Sequence, residues 1–382
     1  MLVEIKGVQF VNKGAELMLA SIIAQLNKAL PNAEICLVHN ANSPYVKRAK
    51  VGAYQKINLC KNILDLNWLF YCIPSSIRRY FKNRFGIVTE ADVDVILDAS
   101  GFSYGDQWSD LVLRQVASVV KRTQSRSKHY IFMPQSLGPF SRDENKKYAK
   151  VAFSNASLVF AREQPSYEHI VELVGESTNI KQAPDFTNLF VPTAKPEYDI
   201  YQDHVILIPN SKMLSKRNKN TWWRENYVTT LAHLANQALK KGEKVIILNH
   251  SGADDAPLCH EINRLLDTPC EVVEPADAES VKALIARGKV IICSRFHGCV
   301  SALSQAIPCI ATGWSHKYQE LFKEYGSEET LLPANVSPAS LDALLNTCLN
   351  ENTERKSQLE NYAMKYKQQS KDMWQTLLST IQ

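Results

Sequence analysis

The chain alternates between short runs that are apolar throughout and longer stretches whose apolar residues recur at helical spacing. Runs at 2–5, 34–38, 94–98, 130–133 and 157–160 predict strands; the spacing at 15–30 and 109–121 predicts helices between them. Pro31 ends the first helix and Pro134 closes the strand before it, while Ser141-Arg142-Asp143-Glu144 reads as a capping box opening another helix. Strands that are apolar without alternation are buried on both faces. Their regular exchange with helices implies parallel sheets covered on both sides.

The pattern breaks at 192–203, which holds two prolines and no clear period and reads as a linker. It then resumes, with strands at 205–208, 245–248, 271–273, 290–293 and 309–312. Helices are expected at 224–240 and 278–287, the second capped by Gly288. The last thirty residues are polar and helical, placed to lean back across the first domain. The expected fold is α/β, with two doubly wound Rossmann-like domains facing a cleft. The N-terminal domain covers 1–195, on the acceptor side, the C-terminal domain 203–350, and a terminal helix 351–382. Ligands of such folds sit outside the carboxyl ends of the strands.

One segment, 54–90, fits neither pattern and reads as an aromatic and basic insertion. Its stretch 68–85 mixes aromatics with four cations and no acid, a composition suited to an anionic membrane surface. The other arrangement is a surface helical hairpin whose aromatics pack on the first domain.

Composition narrows the picture. The 382 residues are 45% hydrophobic, as in ordinary globular proteins, and no apolar run reaches the roughly 18 residues of a spanning helix. Met1 to Lys6 lacks the layout of a secretion signal. The nine cysteines are scattered with no C-x-x-C pair, which argues for a reducing compartment and against a disulfide framework or a zinc site. The expected location is the cytoplasm, with peripheral attachment to the inner face of the cell membrane as an option. A net charge of +5 suits an anionic substrate or membrane surface and is too small to argue for nucleic acid.

The candidate chemistry lies in loops after strands. The strongest is Ser294-Arg295-Phe296-His297-Gly298, a tight strand-to-helix turn carrying a guanidinium and an imidazole at a helix N-terminus. Lys317 follows on Gly313-Trp314-Ser315-His316-Lys317. Asn12 and Gly14 open the first helix, where glycine permits close approach, or form a plain helix start. Asp98 and Asp106 flank a glycine-bearing loop and could accept a hydroxyl proton, or cap helices. Gln135 and Ser136 lie in a proline-stiffened loop; Arg162 follows a strand as an anion ligand or an ion-pair partner of Glu163 or Glu168; Asp185 caps or faces the cleft. His250 with Asp254 and Asp255 suggests a proton relay or a nucleotide contact; one histidine with two aspartates is thin support for a metal, and none is expected.

In their order, Asn12-Lys13-Gly14-Ala15-Glu16, Pro134 to Pro139, Ala161 to Ser166, Pro184-Asp185, His250 with Asp254-Asp255, and Ser294 to His297 through Pro308 to Lys317 resemble the polysaccharide pyruvyl transferases. The resemblance implies a two-domain fold of the glycosyltransferase B type. It also implies transfer of the pyruvyl unit of phosphoenolpyruvate onto two hydroxyls of one sugar, which forms a cyclic ketal and releases phosphate. The family's arginine and histidine motif falls on Arg295 and His297, and its Ala-Arg-Glu segment on Arg162. The chain departs from the pattern in its first glycine-rich loop, which is poorer in glycine, and in the unplaced segment 54–90.

Two guanidinium groups suit the two anionic ends of such a donor, so Arg295 and Arg162 are its expected ligands. His297 is the candidate general acid/base, with Asp98 or Asp106 taking the hydroxyl proton. The expected partners are phosphoenolpyruvate and a sugar acceptor, polyprenyl-diphosphate-linked, polymeric or nucleotide-bound, with no cofactor. A nucleotide-sugar-dependent glycosyltransferase is the alternative on the same fold, and a non-catalytic sugar-binding protein a third class. No G-x-G-x-x-G follows a strand, which argues against an NAD enzyme.

Overall fold

The computed structural model describes residues 1–382 except Arg217, Trp314, Glu351 and the side chains of Asn352 and Thr353. Trp314 of the Lys317 segment and the expected first residue of the terminal helix, Glu351, therefore lie outside the described residues. The chain divides into two compact units: Met1–Phe10, Ser21–Phe186 and Gln369–Gln382 form the first, and Val11–Ala20 with Thr187–Gln368 the second.

The first unit carries strands β1 (Leu2–Lys6), β2 (Glu34–Val38), β3 (Tyr54–Lys56), β4 (Cys60–Lys61), β5 (Leu64–Asp65), β6 (Ile87–Val88), β7 (Val95–Asp98), β8 (His129–Gln135), β9 (Leu158–Ala161) and β10 (Ile180–Gln182). Eight of them form one sheet in the order β10-β9-β8-β7-β1-β2-β3-β6, while β4 and β5 pair only with each other. Every pairing in the large sheet is parallel. From β1 the chain winds outward through β2, β3 and β6, then returns to β7 and winds the other way. The topological switch point of this unit thus lies between the ends of β1 and β7. Its helices are α1 (Lys13–Ala29), whose opening residues belong to the second unit, α2 (Tyr45–Lys50), α3 (Ser75–Phe85), α4 (Asp110–Gln124), α5 (Asp143–Asn155) and α6 (Gln164–Val174).

The second unit has β11 (His204–Ile208), β12 (Val245–Leu248), β13 (Glu271–Val273), β14 (Gly288–Cys293) and β15 (Cys309–Ala311), all parallel, in the order β13-β12-β11-β14-β15. Its helices are α7 (Thr221–Lys240), α8 (Ala256–Arg264), α9 (Ala278–Ile285), α10 (Phe296–Leu303), α11 (His316–Glu324), α12 (Pro338–Asn350) and α13 (Asn352–Ile381), the last ending in the first unit. Successive strand side chains point to opposite faces, and both faces are apolar. Ile206, Ile208, Ile246, Leu248, Ile291 and Cys293 join a core with α9, α10 and α11. Val205, Leu207, Val245, Ile247, Val290 and Ile292 join another with α7, α8 and α12. This is why these strands read as unbroken apolar runs. The switch point here lies between the ends of β11 and β14.

Three local expectations change. No side chain caps α5 from its own N-terminus. Asp106, 35 residues upstream, accepts the Ser141 N–H (2.7 Å) and the Asn145 Nδ2–H (3.0 Å) there instead of a capping box. Strand β8 runs through Pro134 to Gln135, and its register against β9 shifts where proline lacks an N–H to donate. Gly288 does not cap the preceding helix; it begins β14, paired with His204. The ends of the unplaced segment, β3 and β6, are strands of the main sheet, too short to show a period.

Candidate functional site

At the switch point of the second unit the chain leaves β14 through Ser294 and Arg295 and enters α10 at Phe296. The Ser294 carbonyl accepts the Asn210 Nδ2–H (2.7 Å) and the Tyr318 hydroxyl (2.9 Å). Its own hydroxyl oxygen accepts from Tyr227 (2.7 Å) and shares a hydrogen bond with Thr312 (2.7 Å). Ser294 therefore fixes the turn.

Arg295 is bound on one edge. Its Nε donates to Asp255 Oδ2 (2.9 Å) and its Nη2 to both Asp255 oxygens (2.5 Å). Asp255 is fully buried and also accepts the Ser211 N–H (3.0 Å). The pair ties the β12 exit loop to the start of α10. Arg295 Nη1 makes no hydrogen bond among the described residues.

His297 is half-buried in the first turn of α10, edge-on to Phe296 with centroids 5.5 Å apart. The opening of α1 lies against its ring: a Cβ at Gly14 would stand 3.0 Å from His297 Cγ and closer still to Nδ1. Asn12 Oδ1 accepts the Gly14 N–H (3.0 Å), which starts α1 at that point. Lys13 donates to Glu16 (3.0 Å) and to the Ala276 carbonyl (2.8 Å), while Glu16 accepts the Ala278 N–H (3.2 Å) at the start of α9. The Lys317 ammonium sits over the Phe296 ring at 5.0 Å.

His250, at the end of β12, is buried, and its Nδ1 has no hydrogen-bond partner among the described residues; the same holds for Ser251 Oγ and Asn249 Oδ1 beside it. Burial, and then the positive charges of Arg295, His297 and Lys13, hold the His250 imidazole well below its ordinary 6.5. The second unit thus brings together Asn12, Gly14, His250, Arg295 and His297, with Lys317 one ring away, in a positive field at a helix N-terminus.

The other candidates lie in the first unit, at its own switch point and beyond. Asp98 has no exposure and accepts from the Ser100 N–H (3.1 Å) and hydroxyl (2.5 Å), Tyr104 (2.6 Å) and Tyr130 (2.5 Å). Burial, and then the Asp98 charge, push both phenols well above 10. Gly7, at φ +81°, follows β1 where any Cβ would collide with Ser100, so this switch point is filled by the unit's own atoms. In this geometry Asp98 positions the loop after β7 and has no lone pair facing solvent, and Asp106 is the remote cap of α5. Hydrogen bonds from Ser141, Asn145 and Arg142 outweigh burial and lower the Asp106 carboxyl.

Gln135 donates to the Asp98 carbonyl (3.0 Å), and the Ser136 hydroxyl donates to buried Glu163. Arg162 Nε meets Glu163 (3.3 Å) and its Nη1 meets Asp185 (3.4 Å), with all three buried. These residues form a polar cluster inside the first unit.

Sequence reasoning passed over Lys13, Asn249 and Ser251, and gave Asp255 no part as the partner of Arg295. An acidic residue in a β12 exit loop was visible; its pairing across 40 residues was not. Among the described residues no group of three or more His, Cys, Asp or Glu is arranged to hold a metal.

Solved structures share the architecture. UDP-GlcNAc 2-epimerase from Neisseria meningitidis, bound to UDP-GlcNAc, matches with a TM-score of 0.62 at 13% identity over 99% of each chain. Anabaena Alr3699/HepE in complex with UDP-glucose matches at 0.55 and 14% identity, over 99% of this chain and 100% of that one. UDP-GlcNAc 2-epimerase from Methanocaldococcus jannaschii matches at 0.54 and 12% identity, over 92% and 93%. At such identities the likeness is one of fold, the two-domain, parallel-sheet, glycosyltransferase-B-like arrangement expected from the sequence. No curated protein matches the chain. The family model described as polysaccharide pyruvyl transferase matches residues 12–316, which include every cationic residue of the site except Lys317. The protein is a sugar-active enzyme with Rossmann-like domains, and its chain belongs to the polysaccharide pyruvyl transferase family.

Proposed function

We propose that the protein transfers the pyruvyl unit of phosphoenolpyruvate to two hydroxyls of one sugar in surface polysaccharide biosynthesis, forming a pyruvate ketal and releasing phosphate. The observation that carries this reading is the crowding of Lys13, His250, Arg295 and His297 around the start of α10 in a chain of this family. A small donor with two anionic ends suits that field, and the free Nη1 edge of Arg295 is its proposed ligand.

A proton delivered to the methylene carbon makes C2 of the donor electrophilic. One sugar hydroxyl adds to C2, the C2–O bond to phosphate breaks, and a second hydroxyl closes the ring, its proton leaving with the phosphate. His297 is the proposed proton donor and acceptor, with Gly14 and Phe296 setting its ring plane. His250, neutral and buried, is proposed to hydrogen-bond the donor through Nδ1. Since Asp98 and Asp106 are committed elsewhere, the hydroxyl proton falls to His297 or to the departing phosphate. The acceptor is a sugar diol, with a polyprenyl-diphosphate-linked sugar as the class to test first.

A nucleotide sugar is the second reading. The β12 exit favours it: Asn249, His250 and Ser251 offer three unpartnered polar atoms, and Asn249 donates to Glu274 (2.7 Å), a carboxylate suited to a ribose diol. Thermal unfolding with each ligand separates the two. A ligand at one hundred times its Kd stabilises by about 2.7 kcal/mol. A midpoint raised by phosphoenolpyruvate and not by UDP-, GDP- or CMP-sugars, together with phosphate release in the presence of a sugar acceptor, supports pyruvyl transfer. A midpoint raised only by a nucleotide sugar overturns it.

A further inference from the structure

We propose that helix α3 docks the protein on an anionic phospholipid surface. The inference rests on a helix that faces the wrong way. In α3 the residues Ile77, Tyr80, Phe81, Arg84 and Phe85 recur at i, i+3, i+4, i+7 and i+8, the spacing of a single helical stripe. A stripe of that kind normally turns to the core. Here Ile77, Tyr80, Phe81 and Phe85 are 47%, 59%, 44% and 54% exposed, and no residue of α3 is buried. The polar side faces inward instead: Arg78 pairs with Asp92 (2.6 Å), and Lys82 pairs with Glu34 and covers the Tyr54 ring at 5.0 Å. The rings of α3 do not pack on the first domain, as a surface hairpin would require, whereas Phe70 and Tyr71 before the helix do. The α3 rings pack on each other, Phe81 lying 5.9 Å from Tyr80 and 5.8 Å from Phe85.

The chain just before α3 is also rich in exposed apolar residues. Nine of the seventeen exposed large hydrophobics among the described residues fall within 59–85, including Trp68 just before α3. A soluble protein rarely gathers exposed apolar groups so densely without a partner for them.

Charge selects the occupant. Arg79 and Arg84 are exposed and make no ion pair among the described residues, and 67–85 contains no acid. Aromatic rings with arginines at their flanks suit the headgroup boundary of an anionic bilayer. A second copy of the chain fits poorly, because a symmetric pairing through this face would set Arg79 and Arg84 against their equivalents. The inference is independent of the donor chemistry.

Flotation of the full chain with vesicles tests it. Vesicles of phosphatidylcholine containing about a third phosphatidylglycerol should carry the protein upward at low salt, and pure phosphatidylcholine should carry far less. Each arginine near such a surface contributes roughly five-fold, so Arg79→Ala with Arg84→Ala should weaken partitioning about thirty-fold. Phe81→Ser with Phe85→Ser should abolish it while leaving the circular dichroism unchanged, since neither ring supports the fold. Equal flotation with both vesicle types, or none with either, overturns the proposal. So does a dimer in sedimentation that the Phe81→Ser, Phe85→Ser variant dissociates, which would assign the face to a second copy.

Discussion

Substitution of Gly14 by alanine isolates the placement of His297 from its chemistry. The glycine lies in α1 with no strained backbone angle, so alanine fits the main chain. Gly14 is the second residue of the helix, so the gain of about 0.8–1.0 kcal/mol for alanine over glycine in a helix interior is an upper bound. The alanine Cβ, however, would stand 3.0 Å from His297 Cγ, closer still to Nδ1, and 3.3 Å from Asn12 Oδ1. Atoms in comfortable contact sit about 3.5–4.0 Å apart, and the approach to Nδ1 is the tightest, so the imidazole must withdraw by more than about 1 Å. A misplacement of about 1 Å in a reacting group can cost on the order of 100-fold in rate. The expected signature is a split: Tm little changed, and kcat for phosphate release from phosphoenolpyruvate and acceptor down by roughly 30- to 100-fold. Scanning calorimetry and a coupled phosphate assay read the two quantities on one preparation. A variant within about three-fold of wild type in rate would refute the claim that His297 must hold this position.

Three further outcomes follow from the geometry. Asp255→Ala strands the Arg295 guanidinium in a buried setting and should cost about 3–5 kcal/mol, read as a shift of the urea midpoint at unchanged slope; an unaltered midpoint would sink the role given to that pair. His250 stays neutral in the native state while the unfolded chain takes up a proton below about 6.5, so this residue costs stability as pH falls, by about 1.4 kcal/mol per unit. His250→Asn should remove that slope between pH 6.5 and 5.5, and parallel profiles for the two proteins would contradict the burial argument. Of the nine free thiols only Cys72 is exposed, so a thiol reagent should titrate one group rapidly in native protein and all nine in denaturant; a Cys72→Ser variant that keeps the fast phase would place the reactive thiol elsewhere.

Much of the fold was legible because its strands are buried on both faces. An apolar run such as Val205 to Ile208 announces itself, and helices between such runs leave few topologies open. Edge strands were less visible: Tyr54–Lys56 and Ile87–Val88 hold two or three residues each, below the length at which periodicity speaks. The Arg295–His297 turn was legible as a strand-to-helix junction carrying a guanidinium and an imidazole. What sequence could not show was commitment. Asp98 and Asp106 looked like proton acceptors because an aspartate near a strand end carries no mark of its partners. Those partners, Tyr104, Tyr130 and Ser100 for one and Ser141 and Asn145 for the other, arrive only with tertiary packing. Helix α3 shows the converse: its aromatic and basic composition was in the sequence, and which way its stripe turned was set by Asp92 and Glu34, which lie outside the helix.

The knot of bonds at Ser294 has a dynamic consequence. One residue joins the exits of β11 and β14, helices α7 and α11, and the residue after β15, through Asn210, Tyr227, Tyr318 and Thr312. Releasing any of those elements exposes the others' buried polar groups, so this turn should open only when its whole sheet opens. Its amides belong with the slowest-exchanging hydrogens of the second unit, protected to the level of global unfolding. A turn built this way does not order itself around a ligand. It presents the same face to every molecule that arrives, and selection among them falls to the softer loops nearby.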